Sequence, residues 1–297
     1  MKIRFSEEVS EAFDGHEAVV ALESTVIAHG LPYPDNIETA QKCEAAVRAG
    51  GAVPATIAVF DGEFCVGLSS EQIERLANDK SVRKISRRDL AVAVGERLTC
   101  ATTVATTAFI AHRAGIRVFA TGGIGGVHRG YSADVSADLP ELAQTPITVV
   151  CSGAKAILDL PATREWLETH GITVLGWQCD SMPAFYSRES QLAIDQRVDT
   201  AGQTATIIRA RDDLEMQNAV LVTVPVPSEF ALARDELESI VSDALRRAEA
   251  ESISGKAITP FLLAEMSRST AGRTLAANVA LLENNARIAA AIAVELS

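Results

Sequence analysis

Short apolar runs rich in β-branched residues alternate with helical patterns along the whole chain. Runs of this length and composition are typical of strands, because branched side chains pack well on a pleated, half-buried surface. The predicted strands are residues 18–27, 55–60, 116–121, 147–152, 172–177 and 219–226. Most of them are followed by a helical segment, and this alternation indicates an α/β fold with a largely parallel sheet.

The segment between the first two predicted strands carries clear helix signals. Asp35 or Asn36 can cap its N-terminus, and Gly50–Gly51 can end it. Its apolar positions are spaced by three and four residues, as on one face of a helix: Ile37, Ala40, Cys43 and Val47. Strand, helix and strand in this order form the repeating unit of α/β proteins.

Two further patterns refine the fold. Asp61–Gly62 separates residues 55–60 from an alternating stretch at 63–68, which predicts a hairpin and therefore some antiparallel pairing. The C-terminal part shows helical patterns only, including the alanine-rich residues 275–296. Because no repeat or flexible linker divides the chain, we predict a single-domain α/β/α sandwich over residues 1–297. Its central sheet should be mixed but mainly parallel, with C-terminal helices packed over it.

Composition narrows the class of function. Hydrophobic residues make up 47% and charged residues 22% of the chain, as in folded globular proteins. The formal net charge of -12 argues against a broad nucleic-acid or anionic-membrane surface, so an anionic ligand would need a local basic pocket. We expect a cytoplasmic protein with a small-molecule substrate and without nucleic-acid or membrane partners, since the chain shows neither a signal peptide nor a spanning apolar run.

The cysteines agree with that compartment. There are five, scattered through apolar stretches, and none forms a CxxC pair. We therefore predict reduced core residues, with neither a disulfide framework nor a zinc site.

Glu23 and Lys155 are the first candidates for chemistry. Glu23 interrupts an apolar strand, where a buried carboxylate is costly unless it is paired, hydrogen-bonded or protonated. It can instead lie at the strand end, in water or as a turn cap. Lys155 follows residues 147–152 at the carboxyl end of a predicted strand, the edge where open α/β sheets bind ligands. Its alternative is a solvated charge near a helix start.

Two neighbouring segments suit an anionic ligand. The segment 121–130 has four glycines, at 122, 123, 125 and 126, directly after a strand, where backbone can approach a ligand closely, although His128 replaces the third glycine of a dinucleotide motif. Lys84, Arg87 and Arg88 gather positive charge in an acidic protein and are candidates for phosphate recognition. A structural turn and a solvated helix start are the respective alternatives.

Two more features have weaker spacing signals. Thr102 and Thr103 can cap a helix beginning near Val104, leaving backbone N–H groups that suit an anion. Asp134 and Asp138 offer hard oxygen ligands for a divalent ion that keeps several waters, or they simply form turns.

Together these segments resemble the pseudouridine-5'-phosphate glycosidase family, also known as the indigoidine synthase A-like family. The similarity runs from about residue 17 to the C-terminal helices. The matching stretches are ALESTVIAHGLPYP, GAVPATIAV, KISRRDL, ATTVATT, VFATGGIGGVHRG, DVSADL, TVVCSGAKAILDL, PAFY and TPFLL. CSGAK replaces the CAGAK of some members, and the loop before DVSADL is shorter than in relatives.

The resemblance implies roles for individual residues. Glu23 matches the proton donor, Lys155 the nucleophile and Asp134 a manganese ligand, so the expected cofactor is a divalent metal, with Mn²⁺ as the first candidate. The implied assembly is a homotrimer. The positions that match substrate contacts or further active-site residues are Lys84, Val104, His128, Ser136, Ala137, Asp138 and Asn278.

The implied reaction is the reversible splitting of pseudouridine 5'-phosphate into uracil and ribose 5-phosphate by a carbon–oxygen lyase. Its carbon–carbon glycosidic bond requires a different electron sink from ordinary glycosidases, and an imine between Lys155 and the ring-opened ribose supplies one. Two alternatives stay open: a lysine-imine aldolase acting on another sugar phosphate, and a nucleotide-binding module without activity.

Overall fold

Eleven strands pair into one large sheet in the computed structural model, which describes residues 2–130, 133–253 and 258–297. Two short strands form a second, two-stranded antiparallel sheet: β8 (Val127–His128) and β10 (Leu158–Asp159). The strands of the large sheet are β1 (Ile3–Phe5), β2 (Val19–Glu23), β3 (Val53–Phe60), β4 (Glu63–Val66), β5 (Arg83–Ile85), β6 (Cys100–Thr102), β7 (Val118–Ala120), β9 (Thr148–Cys151), β11 (Thr173–Trp177), β12 (Gln196–Val198) and β13 (Val220–Thr223).

The larger part of this sheet is parallel. Its strand order is β1-β4-β3-β2-β7-β9-β13-β11-β12, with β6 also pairing with β3, and β5 with β6. Every neighbouring pair from β3 to β12 along this order is parallel. The carboxyl ends of β2, β7 and β9 therefore meet side by side at one edge of the sheet.

The remaining strands make the sheet mixed. Both β4 and β6 run antiparallel to β3. The β3–β4 hairpin turns through Asp61 and Gly62, whose φ angles of 51° and 81° are those of the tight turn favoured by Asp-Gly. This confirms the predicted hairpin.

Helices occupy most of the connections. They are α1 (Glu7–Asp14), α2 (Asp35–Ala49), α3 (Ser70–Asn78), α4 (Leu90–Gly95), α5 (Val104–Arg113), α6 (Asp138–Leu142), α7 (Leu160–Thr169), α8 (Ala201–Asp213), α9 (Arg234–Ala250), α10 (Ile258–Ser269) and α11 (Arg273–Leu296), with a π-helical turn at Val26–Gly30. Across the described ranges, none of these helices is both long and apolar enough to span a membrane.

Burial along the central strands shows how the layers are arranged. Side chains of β7, β9 and β13 are buried at every position, although successive side chains point to opposite faces. Both faces are therefore covered, as in the predicted α/β/α architecture. Helix α11 packs against α2, α8 and the strands β2, β7 and β9, while α5 packs against α6 and contacts β2 and β3.

The strand and helix predictions are largely confirmed, with two local corrections. The first strand ends at Glu23 and not at residue 27, because the chain enters the π-helical turn, where Ile27 is buried. The predicted cap of α2 is wrong: Pro34 occupies the cap position, and the Asn36 amide donates to the Ile27 carbonyl (2.8 Å). No described cysteine forms a disulfide, and four of them are buried.

Candidate active site

Glu23 and Lys155 come together at the carboxyl edge of the parallel strands. Glu23 is the last residue of β2, Thr121 directly follows β7, and Lys155 follows β9 after a short turn. Because β7 lies between β2 and β9, these three residues converge at one point of the edge. Glu23 and Lys155 line the same cavity.

The surroundings of Glu23 disfavour its charged form. Burial raises the pKa of Glu23 above its ordinary value. The positive charges of Lys155 and Lys84, and the hydrogen bond that the Thr121 hydroxyl donates to its Oε1 atom, offset only part of that effect. A carboxyl group with a raised pKa can act as a proton donor, whereas the strand-end alternative of a water-exposed carboxylate does not describe this environment.

The turn before Lys155 is fixed by backbone contacts. The Lys155 amide donates to the Ile124 carbonyl (3.1 Å), and the Ile124 amide donates to Gly153 (3.1 Å). Gly153 has a φ of 79°, and a Cβ there would lie 2.2 Å from the Pro183 carbonyl oxygen, so only glycine fits. The half-buried Lys155 is thus aimed by the glycine-rich segment beside it.

The cavity has two compartments that share a wall. The polar compartment, of about 190 Å³, and the apolar compartment, of about 50 Å³, are both lined by Glu23, Thr25, Lys84 and Lys155. Other residues of the polar compartment include Ser86, Arg88, Thr103, Val104, His128, Ser136, Ala137 and Asp138. Other residues of the apolar compartment include Val26, His29, Phe185, Leu263, Asn278 and Leu282.

Most of the residues singled out from the sequence therefore lie around one cavity. Lys84, Val104, His128, Ser136, Ala137 and Asp138 line the polar compartment. Asn278 lines the apolar one. It is held there by α11, whose buried Asn285 amide donates to the Thr121 carbonyl (2.9 Å) and so ties this helix to the strand ends.

Asp138 anchors the site from within. Its Oδ1 accepts from the Ala105 amide (2.9 Å) and its Oδ2 from the Gly125 amide (2.8 Å), and the residue is only 6% exposed. Hydrogen bonds to a charged acceptor contribute about 1.5–3 kcal/mol each. Asp138 thus supplies the anion at the N-terminus of α5, where, among the described contacts, the predicted threonine caps form no capping bond.

Close packing explains why glycines are needed in residues 121–130. A Cβ on Gly125 would lie 2.2 Å from the Ser136 hydroxyl and 2.8 Å from Asp138 Oδ2. A Cβ on Gly123 would lie 2.6 Å from the Phe185 ring. Both positions line the cavity, so the structural and the functional explanations of this segment coincide.

Asp134 lies at the margin of the polar compartment. Its side chain is 60% exposed, and its Oδ2 is 4.0 Å from His128 Nδ1. The described residues hold no group of three or more histidine, cysteine or acidic side chains that would enclose a metal. One carboxylate and one imidazole suit an ion that keeps most of its waters. The short loop before it contains residues 131 and 132, which lie outside the described residues.

The basic cluster divides between recognition and structure. Lys84 lies in β5, and with Arg88 it lines the polar compartment. Arg87 instead donates to the buried carboxylate of Glu141 (2.7 Å) and stacks over the Phe109 ring (4.7 Å). The alternative of a solvated helix start therefore does not hold for Lys84, which is in a strand.

Sequence reasoning missed several lining residues. They include Ser86, Phe185, Leu263 and Leu282. The apolar ones come from segments far apart along the chain and have no spacing signal that separates them from core residues.

Comparison with known proteins agrees with this geometry. The sequence profile of the family described as indigoidine synthase A like protein matches residues 8–295. A pseudouridine-5'-phosphate glycosidase of Caldanaerobacter subterraneus is 50% identical over 297 residues, covering 99% of this chain and 97% of the relative. One of Myxococcus xanthus is 51% identical, covering 99% and 98%. The crystal structure of the prealnumycin C-glycosynthase AlnA with ribulose 5-phosphate superimposes with a TM-score of 0.92 at 38% identity, covering 100% of this chain and 97% of that one.

Proposed function

The chain belongs to the indigoidine synthase A-like protein family, and on that premise we propose that it is a pseudouridine-5'-phosphate glycosidase. It would reversibly convert pseudouridine 5'-phosphate and water into uracil and ribose 5-phosphate. Relatives about half identical over their full length carry that name. The observation that carries the proposal is the shared wall, where Glu23 and Lys155 face both compartments.

Two groups on this wall suffice for the bond cleavage. The unprotonated amine of Lys155 bonds to C1' as the C1'–O4' bond breaks, and the proton that the amine loses passes to O4'. The C1'–C5 bond then breaks, its electron pair stays on C5 of uracil, and Glu23 protonates that carbon. The nitrogen lone pair forms the C1'=N imine, and water hydrolyses it to ribose 5-phosphate and free Lys155.

The compartments suit different halves of the substrate. Lys84 and Arg88 place positive charge in the polar compartment of a protein whose net charge is -12, which favours the sugar phosphate there. Phe185, Leu263 and Leu282 give the smaller compartment apolar walls, and Asn278 adds an amide, as a planar base with polar edges requires. Both halves then meet at Lys155.

The proposal includes a divalent metal, with Mn²⁺ as the first candidate, but assigns it no bond-breaking step. Asp134, with His128 beside it, would hold the ion at the mouth of the polar compartment. When bound, the ion supplies positive charge near the sugar phosphate. The homotrimeric state and the cytoplasmic location stay predictions from the family.

The first experiment is borohydride reduction of the protein mixed with ribose 5-phosphate, followed by intact-mass and peptide mass spectrometry. The expected result is one pentose-phosphate adduct, on Lys155. The second is incubation of uracil with ribose 5-phosphate, which should form pseudouridine 5'-phosphate.

The outcomes separate the alternatives. An adduct on Lys155 without condensation would indicate an aldolase-type enzyme for another sugar phosphate. Nucleotide binding without adduct or turnover would indicate a binding module. An adduct scattered over surface lysines would refute imine catalysis.

A further inference from the structure

His29 is a polar residue of the apolar compartment to which the proposed reaction assigns no role. It lies in the π-helical turn six residues after Glu23, and it lines the compartment together with Asn278 and Phe185. Apart from the shared wall, His29 and Asn278 are the polar side chains that line this compartment among the described residues, so the imidazole is one of the few groups there that can recognise a polar edge.

One nitrogen of the imidazole has no partner. The backbone of Val82 lies near the ring, whereas Nε2 is buried and has no hydrogen-bond partner among the residues that the structure describes. A buried nitrogen without a partner destabilises a protein unless a ligand or a water supplies one. The free nitrogen in a ligand cavity therefore points to a ligand.

The protonation state fixes which kind of partner fits. Burial, and then the nearby charge of Lys84, lower the pKa of His29, so the ring is neutral at neutral pH. In a neutral imidazole that carries its proton on Nδ1, Nε2 is a hydrogen-bond acceptor. It requires an N–H or O–H donor from the ligand.

We propose that His29 Nε2 accepts a hydrogen bond from a ring N–H of the uracil base, and so selects bases that carry this donor. A uracil linked through C5 presents two such groups, N1–H and N3–H, whereas a base linked through N1 presents only N3–H. This inference rests on the proposed function. It makes His29 a specificity residue of the base, with no part in imine formation.

The test crosses two protein variants with two methylated substrates. His29→Phe removes the acceptor but keeps a flat ring, and His29→Gln keeps a polar end that can accept. The substrates are pseudouridine 5'-phosphate and its N1-methyl and N3-methyl forms, and kcat/KM is measured for each. Thermal unfolding and the borohydride adduct with ribose 5-phosphate confirm that each variant folds and forms the imine.

The expected result is coupling between the side chain and one methyl group. The wild type should discriminate against one methylated form by about 10- to 100-fold, the size expected when a buried acceptor loses its donor. His29→Phe should lose a similar factor on the parent substrate and show little of that discrimination. His29→Gln should retain more activity than His29→Phe.

Equal losses for all three substrates in His29→Phe would overturn the inference, as would a wild type indifferent to both methyl groups. In either case normal cleavage by the wild type leaves the proposed function intact. A wild type that cleaves none of the substrates refutes the proposed function and this inference with it.

Discussion

The two compartments of the cavity are built from different parts of the fold. The polar compartment uses the ends and loops of the sheet, with the Asp138 carboxylate joining the glycine-rich segment to α5. The apolar compartment adds side chains from the π-helical turn and from the last two helices. Only the wall between them carries Glu23 and Lys155. In the proposed function, recognition of the two halves of the substrate is thus separated, while the groups that would break the bond are common to both compartments.

The largest effect is expected on the shared wall. Lys155→Ala should lower cleavage of pseudouridine 5'-phosphate on the order of 10⁴-fold or more, because the imine cannot form. The borohydride adduct should disappear with it. The matched control is Lys42→Ala, an exposed lysine of α2 that should leave activity and adduct unchanged. Near-normal turnover in Lys155→Ala would show that the wall between the two compartments does not carry the covalent step.

Glu23→Gln should lower cleavage roughly 10²- to 10⁴-fold, since the amide has no proton to give to C5. The ribose 5-phosphate adduct should still form, because that step uses Lys155. In the wild type, the rate should fall as pH rises through the raised pKa of Glu23, where the acid loses its proton. This limb of the pH profile should be absent in the variant.

Glu44 provides the control for that substitution. Burial raises the pKa of Glu44 too, and its Oε1 accepts from the Thr56 hydroxyl (2.6 Å), but it lies outside both compartments. A carboxyl group whose pKa is raised on folding destabilises the folded protein when it ionises, which happens at pH values above 4.5. The uncharged amide of glutamine removes that penalty. Neither Glu→Gln change should therefore lower the unfolding temperature at neutral pH. Equal loss of activity in both variants would show that Glu23 acts through stability alone.

Lys84→Met sharpens the comparison from the polar side. It removes one positive charge near the expected phosphate and should weaken ribose 5-phosphate binding by about 10- to 100-fold. Lys84 also lines the apolar compartment. Uracil binding therefore tests whether the two compartments act independently, and its affinity should change less than that of ribose 5-phosphate. Lys80→Met, at an exposed lysine, is the control. Calorimetric titration of each ligand gives both affinities.

Asn278→Ala tests the separation of the two compartments from the apolar side. The Michaelis constant for uracil in the condensing direction should rise about 10-fold, the cost of one lost neutral hydrogen bond. The yield of the ribose 5-phosphate adduct should not change. Asn284→Ala, at a residue on the same helix that bonds to Arg287, should be neutral. A lower adduct yield in Asn278→Ala would show that the compartments are not independent.

The smallest effect is expected at the mouth of the polar compartment. Asp134→Asn should weaken Mn²⁺ binding about 10-fold, measured by electron paramagnetic resonance of the free ion, because one carboxylate ligand is lost. Uracil binding should be unaffected. Unchanged Mn²⁺ affinity would show that Asp134 is not a ligand of the metal.

The strands and the hairpin were predictable from the sequence, because they depend on preferences of neighbouring residues. Alternating apolar runs located the parallel strands, and Asp61–Gly62 located the hairpin, because strand and turn preferences act over a few residues. Resemblance to the family then placed Glu23, Lys155 and Asn278 around a common cavity. Distances between these positions along the chain carry no such information by themselves.

The parts that depend on tertiary packing were not predictable. Arg87 and Arg88 are adjacent and chemically equal, yet one pairs with the buried Glu141 while the other lines the cavity. Phe185 and Leu263 look like ordinary core residues until distant segments meet. The predicted cap of α2 failed for a similar reason: the Asn36 side chain donates across to the Ile27 carbonyl, and its Oδ1 accepts from the adjacent Ile37 amide, while Pro34 holds the cap position.

The origin of the apolar wall has a consequence for how such enzymes can diversify. Leu263, Asn278 and Leu282 come from the last two helices, whereas Lys155 follows strand β9 at the edge of the sheet. Sequence drift in the C-terminal helices can therefore exchange the accepted base while the covalent step is preserved. A laboratory library confined to those helix positions would be a direct route to catalysts that attach ribose 5-phosphate to unnatural heterocycles through carbon.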